Sequence, residues 1–486
     1  MVNRTEVYRM SSSSSSSQHI PQLDSALWAS RIAGHAELAD ERLNTRLGLI
    51  LATLAAKPLD SIPQANSSCS QAQAMYRFFA NQRIEFDDLM QPVADGTLDL
   101  CRDVKTLLAV QDSSSLNFTS LKTTKGLGPI NNCPRARGLR MHTTLAVRDD
   151  GVTLGLLGQT FWGRPAEKRA GKKNRKLPIE EKESYKWLDG IEAAEAGWEA
   201  LPAEHRPRLV HVMDREGDIH EVLQRISDSP HFGVIRCARN RSVAGDLDYA
   251  FATVEAAPLV GVVRIDVPRA AYQPVPNVPQ RQARVSIRAV TLTITPSRKK
   301  RPNRRPVAWT LLDVRENDPP AGVEPLHWRL WTNLPAGTLE DILEILRFYG
   351  FRWRIEDFHL VLKSGCQIEK LELETADRLS KAALLYAAVA VRVLALRDLA
   401  RVQPDAPCSL ILAEEEWQAL WVRFAKTKLT AHTPPPTIQQ VIRWVGRLGG
   451  HLGRKRDGLP GVRTLWRGFR DLSLLALGFR AGKNLR

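Results

Sequence analysis

The sequence predicts an α/β chain: a mixed sheet flanked by helices, a β-rich stretch, and helical segments at both ends. Three observations carry this. Two apolar runs of strand length, Thr106 to Asp112 and Arg208 to Asp214, each close on an acid. Between them lie two more strand patterns, Arg140 to Val147 and Gly151 to Trp162, and a helical one, Lys182 to Leu201. Strands and helices that mix in this way fold as a sheet covered by helices.

The elements follow in order. The first residues, with Ser11 to Ser17 in a row, cannot bury a core, and 1–23 is expected to be a disordered tail. From Asp24 to about Leu100 the apolar spacing is helical, and Arg42 and Arg46 fall on one side of the stretch Ala39 to Leu54. The turn Asp149 to Gly151 joins two strands, and a helix is expected from Ile219. From about 231 to 333 the chain reads as β-rich, with half-exposed alternation in Gly261 to Val267 and Val285 to Ile294. Leu339 to Lys363 reads as one helix and Thr375 to Ala400 as another. Pro434 to Pro436 break the chain before two more helical segments.

At 486 residues the chain suggests two to four domains. Its net charge is +16, from 69 Lys and Arg against 53 Asp and Glu, which favours a polyanionic partner. The six cysteines are scattered without a C-x-x-C pair, against a zinc ribbon or a disulfide scaffold. A membrane span needs roughly 20 apolar residues. The longest apolar run, Ala382 to Val391, is shorter and is followed by Arg392, so no membrane partner is expected. Arg4 and Arg9 lead into serines, not into the apolar core of a signal peptide.

Chemistry concentrates in three places. Asp112 and Asp214 end strands, where side chains can converge at one sheet edge. Glu356 lies in the stripe Tyr349, Arg352, Glu356, Lys363, whose spacings of three, four and seven put all four on one face of a continuous helix. An acid between cations and a phenol suits a site for metal and phosphate oxygens. Three carboxylates would favour Mg²⁺ or Mn²⁺ over zinc. Taken singly, an Asp after a strand is more often a turn or cap residue, and Asp150, Asp218 and Glu216 are expected to be caps or solvated residues.

Together these segments resemble the cut-and-paste DDE transposases of the insertion-sequence-four family, which includes the transposase of transposon five. The resemblance rests on Tyr349, Arg352, Glu356 and Lys363, on the segments Val110 to Leu116 and Val212 to His220, on Arg42, Arg46 and Tyr76 to Phe78, and on Glu181 to Trp187 and Leu465 to Gly468. It implies an RNase H-like catalytic core over 105–400 with its β-rich insertion at about 231–333. It further implies a helical end-recognition domain over 24–104 and a helical dimerisation domain over 401–486. Asp112, Asp214 and Glu356 would be the catalytic residues and would bind two Mg²⁺, with Mn²⁺ able to substitute. Tyr349, Arg352 and Lys363 would grip phosphates. Trp328 would stack on a flipped base and Trp353 would fill its place, against core packing as the bland reading of either. Arg42, Arg46, Tyr76 and Arg77 would contact the transposon ends. Arg215 would contact phosphate or pair with a carboxylate, and His359 is expected to be a packed or hydrogen-bonded helix residue. Leu360 stands where relatives often carry Lys, which removes one phosphate contact. The implied partners are double-stranded DNA, as inverted-repeat ends and target, and a second copy of the chain in a bacterial cytoplasm. The alternatives are a nuclease of the same fold without strand transfer and an inactive DNA-binding regulator. The basic stretches Lys168 to Lys176 and Arg298 to Arg305 are expected to be flexible phosphate-binding loops or, alternatively, solvated loops with no fixed partner.

Overall fold

The structure, a computed structural model, describes residues 25–58, 60–131, 133, 135–165, 177–267, 281–296, 304–454 and 457–483. The serine tail, Lys168 to Lys176 and most of Arg298 to Arg305 lie outside these. The described residues form two compact units. One holds 177–191 and 208–352; the other holds 25–165, 192–207 and 353–483.

The larger unit begins with five helices: α1 (Ser25–Ala33), α2 (Glu41–Ala56), the single turn α3 (Ile62–Ala65), α4 (Cys69–Ala80) and α5 (Phe86–Leu98). Asp40 caps α2 by accepting from the Arg42 N–H, and Ser68 caps α4 by accepting from the Gln71 N–H. Leu47, Ile50, Leu51 and Leu54 of α2 recur at helical spacing and are buried. Four strands follow: β1 (Thr106–Asn117), the short β2 (Gly128–Pro129), β3 (Arg137–Arg148) and β4 (Thr153–Trp162). β3 pairs antiparallel with each of the other three. Gly151 turns β3 into β4 at φ +87°, a conformation that suits glycine, so the predicted turn is present.

β1 runs past Asp112. The residues Ser113 to Ser115 continue the ladder against Arg140 to His142, so Asp112 sits within a strand and not at its end. The polar run reads as a loop in sequence, yet the pairing with β3 keeps it extended.

The smaller unit holds β5 (Arg208–Met213) and β6 (Phe232–Arg236), which pair in parallel through the helix α7 (His220–Ser227). The helix α6 (Lys186–Ala200) precedes them in the chain. β6 continues into an antiparallel series with β10 (His327–Thr332), β9 (Val307–Glu316), β8 (Arg281–Ile294) and β7 (Leu259–Val267), in that spatial order. The short α8 (Ala250–Ala256) packs on β8 and β9. Trp187, Met213, Leu223, Ile226, Trp309 and Trp331 make its core. The stretch 231–333 is therefore β-rich, as its alternation predicts. In chain order the long elements are three antiparallel strands, a helix, and two parallel strands with a helix between them.

Leu339 to Lys363 is not one helix. α9 (Leu339–Gly350) starts from a Thr338–Asp341 capping box and ends at Gly350. Glycine weakens a helix, and the hydrogen bonds there tighten. The Phe351 N–H is shared between Arg347 and Phe348, and the Arg352 N–H donates to Tyr349, three residues back. A second helix, α10 (Trp353–Leu360), follows and passes into a π-helical turn, Val361–Gly365, closed by the Cys366 N–H on the Val361 carbonyl. The division between the units falls between Arg352 and Trp353. The stripe of four is thus split, and no single helical face carries it.

Helices close the chain: α11 (Ala376–Val402), α12 (Glu414–Phe424), α13 (Ile438–Leu448) and α14 (Val462–Lys483). α11 runs on past the short apolar run seen in the sequence. It is long and apolar enough to cross a membrane, but its most apolar window is wholly buried, as in the core helix of a globular protein.

Candidate active site and nucleic-acid interface

Within the smaller unit four of the sequence-predicted residues meet. β5 delivers Asp214 at its end, with extended backbone leading into a one-turn helix, Arg215–Gly217. Gly217 fits because a Cβ there would come 2.8 Å from the Met213 Cβ. Asp214 Oδ2 lies 3.9 Å from Arg352 Nη1. The Arg352 guanidinium stands 6.0 Å from the centre of the Tyr349 ring. That ring meets Trp328 edge-on at 5.3 Å. Tyr349 is only 1% exposed. Burial raises its hydroxyl pKa, while Arg352 and Arg236 pull the other way. A hydroxyl placed so deep is packed beneath Trp328 and does not stand on an open surface. Asp214 Oδ1 is buried and has no hydrogen-bond partner. Arg215 is exposed and, among the described residues, makes no ion pair, so the carboxylate pairing considered for it is not found.

Four residues beyond Asp214, Asp218 has a different role. It ends the one-turn helix through its backbone, and its side chain is not solvated. Its Oδ2 accepts from the Ala238 and Arg239 N–H groups at 2.7 and 3.0 Å, and its Oδ1 accepts from Arg241 Nε at 3.0 Å. Asp218 is a buried clamp between the turn after β5 and the segment after β6. Asp150 does act as a turn residue, binding Arg148 and the Val152 N–H, and Glu216 is solvated with a long contact to Lys186.

In the larger unit, α10 packs on β1, so the helix of Glu356 lies against the strand of Asp112. Both acids are half-buried. The Ser113 N–H donates to Asp112 Oδ1 at 2.7 Å. His142, opposite Ser113 in the ladder, bonds Ser113 Oγ at 2.9 Å and Gln111 Oε1 at 3.1 Å, tying the residues on either side of Asp112 to β3. Glu356 lies in the first turn of α10, where the helix dipole favours a carboxylate. Lys363 sits in the π-helical turn. Burial lowers its pKa, Glu369 opposes this, and Arg140 adds to it. Glu369 itself accepts from the Asn117 N–H at 2.7 Å. His359 is buried, and burial first, then Lys363, push its pKa down to about 3. Its Nε2 has no hydrogen-bond partner, so it is packed and not bonded there. Leu360 ends α10 and is half-buried. Trp353, 41% exposed, is not a core residue.

In the N-terminal helices, Arg42 projects with its side chain 90% exposed and an ion pair to Asp40 at 2.8 Å. Arg46 is half-buried, while Tyr76 and Arg77 lie exposed on α4, which packs against α2. Arg77 donates to Gln73 at 3.4 Å.

Among the described residues, no group of three or more His, Cys, Asp and Glu side chains is gathered closely enough to hold a metal ion. The donors singly suit one: three carboxylates are the ligands of hard divalent cations, and Asp214 Oδ1 is a buried oxygen lacking a partner.

Two sequence-family models match. Residues 25–84 match one described as transposase DNA-binding, and residues 388–485 match the Tn5 transposase dimerisation domain. Both matched segments are therefore similar to parts of transposases, the second to that of Tn5. The DNA-binding match covers α1 to α4, hence Arg42, Arg46, Tyr76 and Arg77, and the dimerisation match covers most of α11 and the three helices after it. Among solved structures, this chain is similar to the piggyBac transposase in a synaptic complex with hairpin DNA. The two are 10% identical over 78% of this chain and 72% of the other, with a TM-score of 0.32. So low a score carries no weight beside the two sequence matches.

Proposed function

We propose that this protein is a DNA transposase and works by cut-and-paste transposition at specific inverted-repeat ends, through the acids Asp112, Asp214 and Glu356. The observation that supports this most is the assembly of Asp214, Arg352, Tyr349 and Trp328 from three separate segments. It sets an unbonded carboxylate oxygen beside a guanidinium and an aromatic pair. In this reading Asp112, Asp214 and Glu356 would hold two Mg²⁺ or Mn²⁺ in the DNA complex. Bound there, such cations activate the attacking oxygen and stabilise the leaving oxygen of a phosphodiester.

The remaining roles belong to the protein's own groups. Arg352 turns its fork to a phosphate beside Asp214, and Lys363 supplies a point charge to another. Trp328 stacks on the base that leaves the duplex when the strand bends into a hairpin, offsetting part of the few kcal/mol lost on flipping. Trp353, exposed at the head of α10, fills the vacated place. Arg42, Arg46, Tyr76 and Arg77 hold the end, and Arg215 is free to reach phosphate. Four displacements at phosphorus follow: a nick by water, hairpin formation by the freed 3′ hydroxyl, hairpin opening by water, and attack of that hydroxyl on target DNA. The C-terminal helices pair two copies, and the work takes place on DNA in a bacterial cytoplasm.

Incubation of the protein with end-bearing DNA and Mg²⁺ tests this. Hairpin intermediates and joined products are expected. Nicks alone would favour a nuclease of the same fold, and end binding without metal-dependent cleavage would favour an inactive regulator.

A further inference from the structure

The larger unit buries an ionic network that the roles above do not use. Arg397 and Asp398 lie on α11 and are 3% and 0% exposed. Arg397 donates to Asp398 Oδ1 through Nε at 3.1 Å and Nη2 at 2.9 Å, and to Asp357 Oδ2 through Nη1 at 2.6 Å. Asp398 Oδ2 accepts from Thr153 Oγ1 at 2.8 Å. Arg354 Nε donates to the Gly151 carbonyl at 2.9 Å and lies 3.6 Å from Asp398 Oδ1. Three elements are thereby tied together: α10, α11 and the turn from β3 into β4.

Taking ions out of water is costly, and packed apolar side chains of equal volume often stabilise a core as well or better. What apolar packing lacks is direction. Arg354 and Asp357 are three residues apart on α10, hence on one face of it. Fixing both to α11 and to the β3–β4 turn stops the helix from rotating about its axis. Glu356 lies between them in sequence, and helical spacing of about 100° per residue puts it off the braced face. The rotation that the network sets is the rotation that aims its carboxylate. The brace also comes from the region matched by the dimerisation domain, 388–485.

We propose that Arg397, oriented by Asp398, is a positioning residue that sets the angle of α10 and so the aim of the Glu356 carboxylate at a divalent cation. This rests on the reading of Glu356 as a metal ligand.

The test uses the full chain bound to end-bearing DNA and titrated with Mn²⁺, with bound Mn²⁺ followed by electron paramagnetic resonance. The variants are Arg397→Lys, which keeps the charge but loses the fork, Asp357→Asn, which is half-exposed and leaves the Arg397–Asp398 pair intact, and Glu356→Gln as the reference. Residues one shell behind a metal ligand shift metal affinity about 10–100-fold. Both brace variants are expected to raise the half-saturating Mn²⁺ concentration by about 10-fold. End binding in chelator should be unchanged, and nicking should recover at high Mn²⁺. If Glu356→Gln weakens Mn²⁺ binding and the brace variants do not, the positioning role is overturned while the metal reading stands. If Glu356→Gln itself leaves Mn²⁺ binding unchanged, the metal reading fails and takes this proposal with it. Should Arg397→Lys not fold, Asp357→Asn alone decides.

Discussion

Asp214 and Asp218 stand four residues apart in the turn after β5, and their surroundings are opposite. Asp218 has both carboxylate oxygens occupied, by two backbone N–H groups and by Arg241. Asp214 has one buried oxygen with no partner, and its nearest cation stands at 3.9 Å. An acid whose bonds are complete holds the fold together. An acid left incomplete in a buried place is destabilising unless something arrives to complete it. Trp331 and Trp328, three residues apart on β10, differ in burial. Trp331 is wholly buried in the core, whereas Trp328 is half-buried with its ring against Tyr349.

The comparison can be broken by substitution. The largest effect is expected from Asp214→Ala. It should abolish strand cleavage in a gel assay with Mg²⁺, yet leave thermal stability equal to or above that of wild type. Retained cleavage would remove Asp214 from the site. Asp218→Asn should do the reverse in kind. Leaving Arg241 without its buried partner should cost about 3–5 kcal/mol in urea unfolding. A loss below about 1 kcal/mol would make Asp218 a bystander. Trp328→Ala should permit the first nick but slow hairpin formation by about 10–100-fold, the value of about 1–3 kcal/mol of base stacking. An unchanged hairpin rate, measured by single-turnover electrophoresis, would return Trp328 to a packing role.

A smaller effect concerns His359, another buried group with an unbonded atom. Its folded pKa is depressed to about 3 from 6.5, so the unfolded chain takes up the proton first. Its contribution is therefore lost as pH falls, starting near 6.5 and continuing to about 3. Between pH 7 and 6 it should weaken the fold by about 0.7 kcal/mol. Unfolding of wild type and His359→Gln at the two pH values measures this, and equal slopes would show that His359 is accessible to protons.

The sequence carried the fold class well, because apolar periodicity reports burial directly. The strands around Asp112 and Asp214, the turn at Gly151 and the long helix from Ala376 all stand close to where the pattern puts them. It misled where tertiary pairing overrides local polarity. Ser113 to Ser115 look like a loop and are strand, because β3 supplies their hydrogen bonds. It also misled at Gly350, where an unbroken helical spacing hid a break. The Asp218 clamp and the Arg397–Asp398 brace were missed because hydrogen-bond partners more than 15 residues away leave no local trace. One signal was present for the brace: two adjacent charges flanked by apolar residues within a helix. Such charges must be answered by something, and the answer proves to be Asp357 and Thr153.

The π-helical turn after α10 holds one residue more than a regular helical path would need. Deleting Val361 or Leu362 would let the chain close as ordinary α-helix, and the side chains just beyond the cut would swing by about 100°. Lys363 would then face elsewhere while Glu356 stayed where it is. The spacing between these two residues is accordingly a property of chain length as much as of residue type. Hydrogen exchange at the Cys366 amide, whose bond to Val361 closes the turn, would show in a deletion variant whether that extra residue had been absorbed or the turn re-formed.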